Sequence, residues 1–148
     1  MKAKILLADS AEVREGLLFL LGGTWNKIGP LPQPFAIAGV IEVDWDECNK
    51  KHTAEFSIED VDGNPLMVQG LTGEHQPFRL STPFEVGRPS GSPQGTTFNV
   101  PVAMPLQAIP FNPGRHYVLV VKINNVELDR VRFSVRASAG SPPAPQQP

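Results

Sequence analysis

The amino-acid sequence predicts an all-β domain: an antiparallel β-sandwich of immunoglobulin-like or C2-like type, with seven to nine strands and at most one short helix. Three observations support this prediction. Apolar side chains recur at every second residue in several short segments, which is the period of a half-buried strand. Sixteen prolines and thirteen glycines separate these segments with turns. No long helical pattern lies between them.

The clearest element is a hairpin over residues 115–136. Its first strand places Tyr117, Leu119, Val121 and Ile123 on one face, and its second strand places Val131, Phe133 and Val135 on the same face. Asn124-Asn125 lies between them, and asparagine tolerates the positive φ that a two-residue hairpin turn requires. The apolar parity shifts within the second strand, which predicts a β-bulge near Asp129 or Arg130.

Other strands are predicted from the same alternation. Their segments are 2–8, 16–22, 35–43, 53–59, 65–71, 78–86 and 97–104. Asp9-Ser10 is expected to end the first, and the run of five large apolar residues in 16–22 predicts a buried strand. Segment 65–71 is expected to pair with 53–59 across the turn at Asp62-Gly63. Pro101 and Pro105 place the strand over 97–104 at a sheet edge, because proline cannot donate to a ladder.

The core and the single helical turn follow from the same pattern. Four aromatic side chains share the inward parity and are expected to be buried together: Phe56, Phe84, Tyr117 and Phe133. Residues 44–51 begin with acids and end with lysines, the order that suits a helix dipole. One helical turn with Asp44 or Asp46 as its cap is therefore predicted.

The composition excludes several classes of partner. The 148 residues carry 13 basic and 15 acidic side chains spread along the chain, so no basic stripe indicates nucleic acid or a membrane surface. A lone cysteine, Cys48, excludes an internal disulfide framework. The first residues lack a signal-peptide pattern, and no segment reaches the ~20 apolar residues of a membrane span. We therefore expect a cytoplasmic domain over 1–136, followed by a disordered proline-rich tail over 137–148.

Several short motifs occur together in this order along the chain. They are LLAD at 6–9, FLLGGTW at 19–25, EVDWDE at 42–47 followed by Asn49 and His52, and FEVGRP at 84–89. In this combination the chain resembles a family of uncharacterised bacterial proteins known only as a domain of unknown function. The resemblance covers nearly all of residues 1–136. It implies a small β-sandwich and no particular activity.

Acidic residues suggest one alternative, a calcium-binding sandwich. Asp44 and Asp46 follow one strand, Asp60 and Asp62 follow the next, and carboxylates from separate loops are typical calcium ligands. Two considerations oppose this hypothesis. The four residues also fit helix caps and tight turns, and antiparallel succession places the two pairs at opposite ends of the sheet. Cys48 and His52 are spaced like two zinc ligands on a helix, but no second pair completes such a site.

No catalytic or cofactor-binding motif occurs, so we expect neither an enzyme nor a bound cofactor. The sequence favours a protein-interaction or assembly module whose partner is another protein or a second copy of the chain. The loop over 87–95 carries Arg88 and Gln94 and contributes little to the core, so these two residues are predicted contacts. Trp25 is a further candidate, although a loop tryptophan more commonly fills one end of a core. The alternative is a binder of divalent cations or small ligands.

Overall fold

The computed structural model describes residues 1–138, in which eleven strands and one 3₁₀ turn occur. The elements are β1 (Lys2–Arg14), β2 (Leu17–Gly23), β3 (Lys27–Ile28), β4 (Phe35–Val43), the 3₁₀ turn (Trp45–Glu47), β5 (Lys51–Asp60), β6 (Met67–Gln69), β7 (His75–Pro77), β8 (Arg79–Glu85), β9 (Phe98–Leu106), β10 (His116–Ile123) and β11 (Val126–Val135). Residues 139–148, which include most of the predicted tail, lie outside the described part of the chain.

Two large sheets contain nine of these strands. The first sheet has the order β2-β1-β4-β9 and the second has the order β3-β11-β10-β5-β8, while β6 and β7 form a small ladder of their own. Neighbours are antiparallel except for β3, which is two residues long and runs parallel to β11. The prediction of an all-β chain with antiparallel sheets is confirmed. The strand number exceeds the predicted nine because the short strands β3 and β7 have no alternating pattern to reveal them.

Side chains from both sheets meet in one hydrophobic core. Leu7, Ile37 and Val43 are fully buried from the first sheet, and Phe56 and Leu119 from the second. Tyr117 and Phe133 are buried in the same cluster, as predicted. Phe84 packs against that cluster but is only half-buried. Its strand β8 is the last strand of the second sheet, so one flank of its ring has no neighbouring strand to cover it.

The first sheet is strongly curled. Ala8, Ala36 and Ala38 lie on the face of this sheet opposite to the core, yet they are completely buried. Small side chains allow β1 and β9 to approach each other across β4 on that face. Gly39 contributes in the same region, because a Cβ there would collide with the carbonyl oxygen of Lys4. Alanine and glycine therefore leave room for the close approach of strands in this curled sheet.

The predicted β10–β11 hairpin is confirmed. Asn124 and Asn125 have φ values of 51° and 67°, the left-handed conformation of a type I′ turn. The register shifts as predicted, but the extra residue is Leu128, one position before the expected site. The bulge presents Asp129 to the first sheet, where its carboxylate accepts a hydrogen bond of 2.8 Å from the backbone N–H of Ile5. This contact joins the two sheets along one side.

Two predictions for the N-terminal region are wrong. Strand β1 does not end at Asp9-Ser10 but continues to Arg14, because β2 supplies a hydrogen-bonding partner for the whole extension. Strand β2 is also not buried: Leu17, Phe19, Leu20 and Leu21 are exposed. A continuous apolar run predicts burial only where another layer covers it, and the pattern itself does not show whether such a layer exists.

The pairing predicted for segment 65–71 is also wrong. Apart from one bridge between Glu59 and Pro65, the segment does not return along β5. Instead β6 pairs with β7, and β8 takes the place beside β5. Fifteen residues lie between the turn at Asp62-Gly63 and the start of β8. Local turn chemistry alone therefore could not show whether segment 65–71 or β8 pairs with β5.

The predicted helical turn is present as a single 3₁₀ turn with Asp44 at its N-cap. Strand β9, with Pro101 and Pro105, lies at the edge of the first sheet as predicted. Within residues 1–138, no helix has the length and apolar character needed to cross a membrane.

Candidate functional site

A β-hairpin extends beyond the end of the first sheet. Strand β4 pairs with β1 only as far as Ala8, whereas β2 pairs with β1 up to Arg14. Residues 10–21, called the arm below, therefore form a ladder of two strands without a third. At about 3.3 Å per residue the arm projects by roughly 17 Å. A two-stranded ladder buries little surface by itself, so the side chains of the arm are largely open to contact.

The tip of the arm is a tight two-residue turn. Arg14 pairs directly with Leu17, so the loop consists only of Glu15 and Gly16. Their φ values of 52° and 74° define a type I′ turn, whose twist matches that of the flanking strands. The turn fixes the register of the arm.

This register divides the side chains of the arm between two faces. Leu17, Phe19 and Leu21 lie on one face opposite Arg14, Glu12 and Ser10, and Leu18 and Leu20 lie on the other face opposite Val13 and Ala11. Leu17 is 62% exposed and Leu21 is 72% exposed. Half of the ten large apolar side chains that are exposed in the described residues lie on the arm. Leu17, Phe19 and Leu21 form an apolar patch on one face. Val13 and Leu20 are exposed on the other face.

Polar groups border the patch. The guanidinium group of Arg14 lies 5.0 Å from the centre of the Phe19 ring and forms an ion pair of 2.8 Å with Glu12. An open depression of about 440 Å³ runs along the same surface. An apolar centre with a polar rim is the usual composition of a protein-binding surface.

The structure gives Arg88 an internal contact. Its guanidinium group lies 4.3 Å from the centre of the Trp45 ring, and its Nη2 and Nε donate to the Trp45 carbonyl oxygen at 2.6 and 3.2 Å. The indole of Trp45 in turn stacks on Phe98, with 6.3 Å between ring centroids. Arg88 therefore fastens the loop between β8 and β9 to the 3₁₀ turn. Gln94, in the same loop, is exposed.

Trp25 packs onto one end of the core. Its ring contacts Phe35 and Phe133 edge to face, with centroid distances of 5.6 and 6.3 Å. The indole Nε1 is buried and has no hydrogen-bond partner among the described residues. Trp25, Arg88 and Gln94 do not belong to the arm, so the predicted contacts and the exposed apolar patch are different surfaces.

The four aspartates of the calcium hypothesis do not come together. Asp44 and Asp46 precede β5, and Asp60 and Asp62 lie at its other end, about 30 Å away along a ten-residue strand. Within residues 1–138, no group of three or more histidine, cysteine, aspartate or glutamate side chains could hold a metal ion.

Asp44 and Asp60 each have a structural partner. The amino group of Met1 lies 2.9 Å from Asp44 Oδ2, and this hydrogen bond lowers the pKa of Asp44. Asp60 accepts hydrogen bonds from the backbone N–H groups of Asn64 and Asp62, and the Asn64 bond is the main cause of the lowered pKa of Asp60. Each carboxylate is thus engaged in a cap or a turn.

Cys48 and His52 lie on different elements, because Cys48 ends the 3₁₀ turn and His52 belongs to β5. His52 is buried, and its Nε2 lies 2.7 Å from the carbonyl oxygen of Glu47. That oxygen can only accept, so Nε2 carries a proton. Nδ1 then accepts from the Asn124 amide at 2.9 Å. The orientation of this amide is set by Thr53, whose backbone N–H donates to Asn124 Oδ1.

Sequence reasoning predicted strand β2 but missed the continuation of β1 and the hairpin that joins the two strands. The Glu15-Gly16 pair between two apolar runs was a usable signal, because glycine at the second position of a two-residue loop is typical of a type I′ turn. The exposure of the arm had no such signal, since it depends on where β4 begins.

These features define a class: an all-β domain with two antiparallel sheets around one core and an apolar hairpin extending from one sheet. The chain belongs to a family of unknown function, DUF6941, whose model matches residues 4–136. This agrees with the resemblance to a domain of unknown function. No curated protein matches the chain.

One solved structure shows a distant likeness. It is the alkylpurine DNA glycosylase AlkC of Pseudomonas fluorescens, bound to DNA containing an abasic site analog. The match has 13% identity and a TM-score of 0.46 and covers 91% of this chain. The chain spans 31% of the length of that protein. A TM-score below 0.5 supports no inference about the function of this chain.

Proposed function

We propose that this protein is a non-enzymatic protein-interaction module and that the arm is its contact surface. One observation carries the proposal: a projecting hairpin exposes Leu17, Phe19 and Leu21 together on one face, with Val13 and Leu20 exposed on the other. Exposing such a patch to water is unfavourable, and contiguous apolar patches with polar rims are a feature of binding surfaces.

The chemistry of the patch favours a protein partner. Leucine and phenylalanine side chains gain most from contact with other apolar side chains. The two charged groups on the same face, Arg14 and Glu12, neutralise each other, so the arm has no excess positive charge with which to attract phosphate groups. This supports binding to protein rather than nucleic acid.

We further infer that the two sheets form a β-sandwich of immunoglobulin-like or C2-like type that acts in the cytoplasm. Support for a two-layer arrangement comes from the shared core, in which Leu7 and Ile37 of one sheet and Phe56 and Leu119 of the other are all buried. A cytoplasmic location agrees with the single cysteine, Cys48, which is buried and free, since thiols in the cytoplasm remain reduced. The alternative function, binding of a divalent cation, gains no support from the separated aspartates.

Photo-crosslinking in living cells tests the proposed function. A photoreactive phenylalanine analogue replaces Phe19 in the full-length protein, and the cells are irradiated. Because Phe19 lies in the middle of the apolar patch, we expect covalent adducts of higher mass on a denaturing gel. Mass spectrometry of these adducts identifies the partner polypeptide.

The matched control places the same analogue at Leu71, which is fully exposed but belongs to no patch. Adducts from Phe19 and none from Leu71 support the arm as a binding surface. Equal adduct yields at the two positions, or none at either, contradict the proposal.

A further inference from the structure

The two large sheets have four outer strands, and three of these carry features that prevent pairing with another strand. Strand β9 has Pro101 and Pro105, which lie opposite Val40 and Ala36 of β4. Strand β8 has Pro83, with a charged residue at each end of the strand. Strand β3 is only two residues long. Proline, charge and short length are the common protections of sheet edges.

The fourth edge, β2, has none of these protections. Its sequence is LLFLLGG, without proline or charge, and within the described residues it pairs only with β1. Long apolar edges pair readily with other strands and are usually avoided in monomeric proteins. Strands β8 and β9 of the same chain are protected against pairing. The edge of β2 is therefore the outer strand that this chain leaves open to a partner.

The turn at the tip determines which backbone groups of β2 are free. In a hairpin with a two-residue turn, the closing pair Arg14–Leu17 exchanges hydrogen bonds, and alternate pairs do so after it. Phe19 and Leu21 therefore bond to β1. The N–H and C=O groups of Leu18 and Leu20 point away from β1, toward the position of a next strand.

The exposed area is suitable for a dimer. The five exposed apolar side chains of the arm present roughly 500 Å² of surface, calculated from their fractional exposures and typical side-chain areas. A standard protein interface buries about 800 Å² per partner, and weak or transient interfaces bury less than about 600 Å² per partner. Pairing along the edge of β2 brings side chains on both faces of the arm close to the partner. Together with the neighbouring polar atoms, this area falls in the range of weak or transient interfaces.

We propose that the partner of the arm is a second copy of this chain, and that the two β2 strands pair antiparallel about a two-fold axis at Phe19. This proposal rests on the proposed function of the arm. In this register Leu18 of one copy bonds Leu20 of the other, Leu17 contacts Leu21 of the other, and the two Phe19 side chains meet at the axis. All five residues of segment 17–21 are paired without overhang.

A two-fold arrangement also explains why the assembly stops at two copies. Each copy uses its β2 edge in the contact, and the same edge of the other copy is used at the same time. The outer strands β8 and β9 are protected by Pro83, Pro101 and Pro105, and β3 is short. The free part of β1 in the arm carries the charged residues Glu12 and Arg14. The product is a closed dimer with a continuous sheet rather than a fibre.

Sedimentation velocity of the full-length protein at micromolar concentration tests the proposal. We expect the wild type to sediment at twice the chain mass of 16.1 kDa. Leu20→Pro removes an outward N–H that the arm itself does not use, so we expect a folded monomer. Leu20→Val keeps both the N–H and the apolar character and should remain a dimer.

A cysteine variant gives an independent measurement that does not depend on the folding of the proline variant. Two Phe19 Cα atoms at the axis would be about 4.5 Å apart, within the range that a disulfide spans. Phe19→Cys should therefore form a disulfide-linked dimer under mild oxidation. Leu71→Cys and the wild type, whose Cys48 is buried, should not.

The results separate this inference from the proposed function. A monomeric wild type overturns the dimer, as does equal disulfide formation by Phe19→Cys and Leu71→Cys. If the protein is monomeric but Phe19 crosslinks to a different polypeptide in cells, the arm is a binding surface for that protein and only the dimer is wrong. A monomer without any adduct contradicts both.

Discussion

At the scale of single residues, the structure shows which contacts are made by the polar side chains that the sequence singles out. The sequence predicts that Arg88 contacts a partner, and in the structure its guanidinium group contacts the ring and carbonyl oxygen of Trp45. His52 was paired with Cys48 by spacing, and its ring instead connects Glu47 to Asn124. Both side chains hold loops in place. Spacing along the chain gives candidate neighbours, but it does not show which backbone carbonyl a side chain reaches.

Arg88→Ala should lower the free energy of unfolding by about 1 kcal/mol, because it removes a cation–π contact and two hydrogen bonds at an exposed site. Gln94→Ala, in the same loop, should change it by less than about 0.5 kcal/mol. Urea unfolding of the two variants makes the comparison. Equal midpoints would show that Arg88 does not fasten the loop.

At the scale of elements, the hairpin turns show what local sequence determines. The Asn124-Asn125 turn, its strands and its bulge were predictable because alternation and turn chemistry are local properties. The two asparagines nevertheless have different functions. Asn124 bonds Thr53 and His52 through its side chain, whereas no hydrogen bond of the Asn125 side chain occurs within the described residues.

The same substitution at these two positions should therefore have different effects. Asn124→Gly keeps the positive φ but loses two side-chain hydrogen bonds, so we expect a loss of about 1–2 kcal/mol. Asn125→Gly should change stability by less than about 0.5 kcal/mol, because glycine adopts positive φ readily and the unfolded chain gains a similar freedom. Thermal unfolding distinguishes the variants. A loss of equal size at both positions would refute the role given to the Asn124 side chain.

The exposed strand β2 shows what local sequence does not determine. The local sequence indicates that this segment is a strand and where its turn lies. The exposure of the strand, however, depends on where β4 begins, and β4 pairs with β1 only as far as Ala8. Likewise, the partner of β5 depends on how far the chain travels before β8 begins. Strand existence follows from alternation. Strand neighbours and burial follow from the lengths of other elements, which no local pattern specifies.

At the scale of the whole molecule, the charges predict how stability depends on pH. Three carboxyl groups have lowered pKa values: Asp44 through the Met1 amino group, Asp60 through the Asn64 N–H, and Glu127 through Arg130. Their ordinary values are 3.8 for aspartate and 4.5 for glutamate. Because the unfolded chain binds protons more readily than the folded chain, their contribution is complete above the ordinary values. It is lost as the pH falls through the lowered folded values.

Urea midpoints can be measured at pH 7, 5 and 3. These three groups should cause no difference between pH 7 and pH 5, and they should lower the midpoint at pH 3. The decrease should be smaller in Asp60→Asn, which cannot gain a proton at that position. Carboxyl NMR titration of Asp60 provides a direct measurement. A midpoint of Asp60 at or above its ordinary pKa would contradict the hydrogen-bonding account.

The bond from Ile5 to Asp129 has a consequence for the order of synthesis. The two residues are separated by 124 positions, so one of the first strands made receives this partner only when nearly the whole chain has been translated. At 5–20 residues per second, this interval lasts on the order of ten seconds. During that time the outer flank of β1 has no strand from the second sheet beside it. Ribosome-bound chains truncated before β11 should therefore leave the Ile5 amide open to hydrogen exchange, and release of the complete chain should protect it.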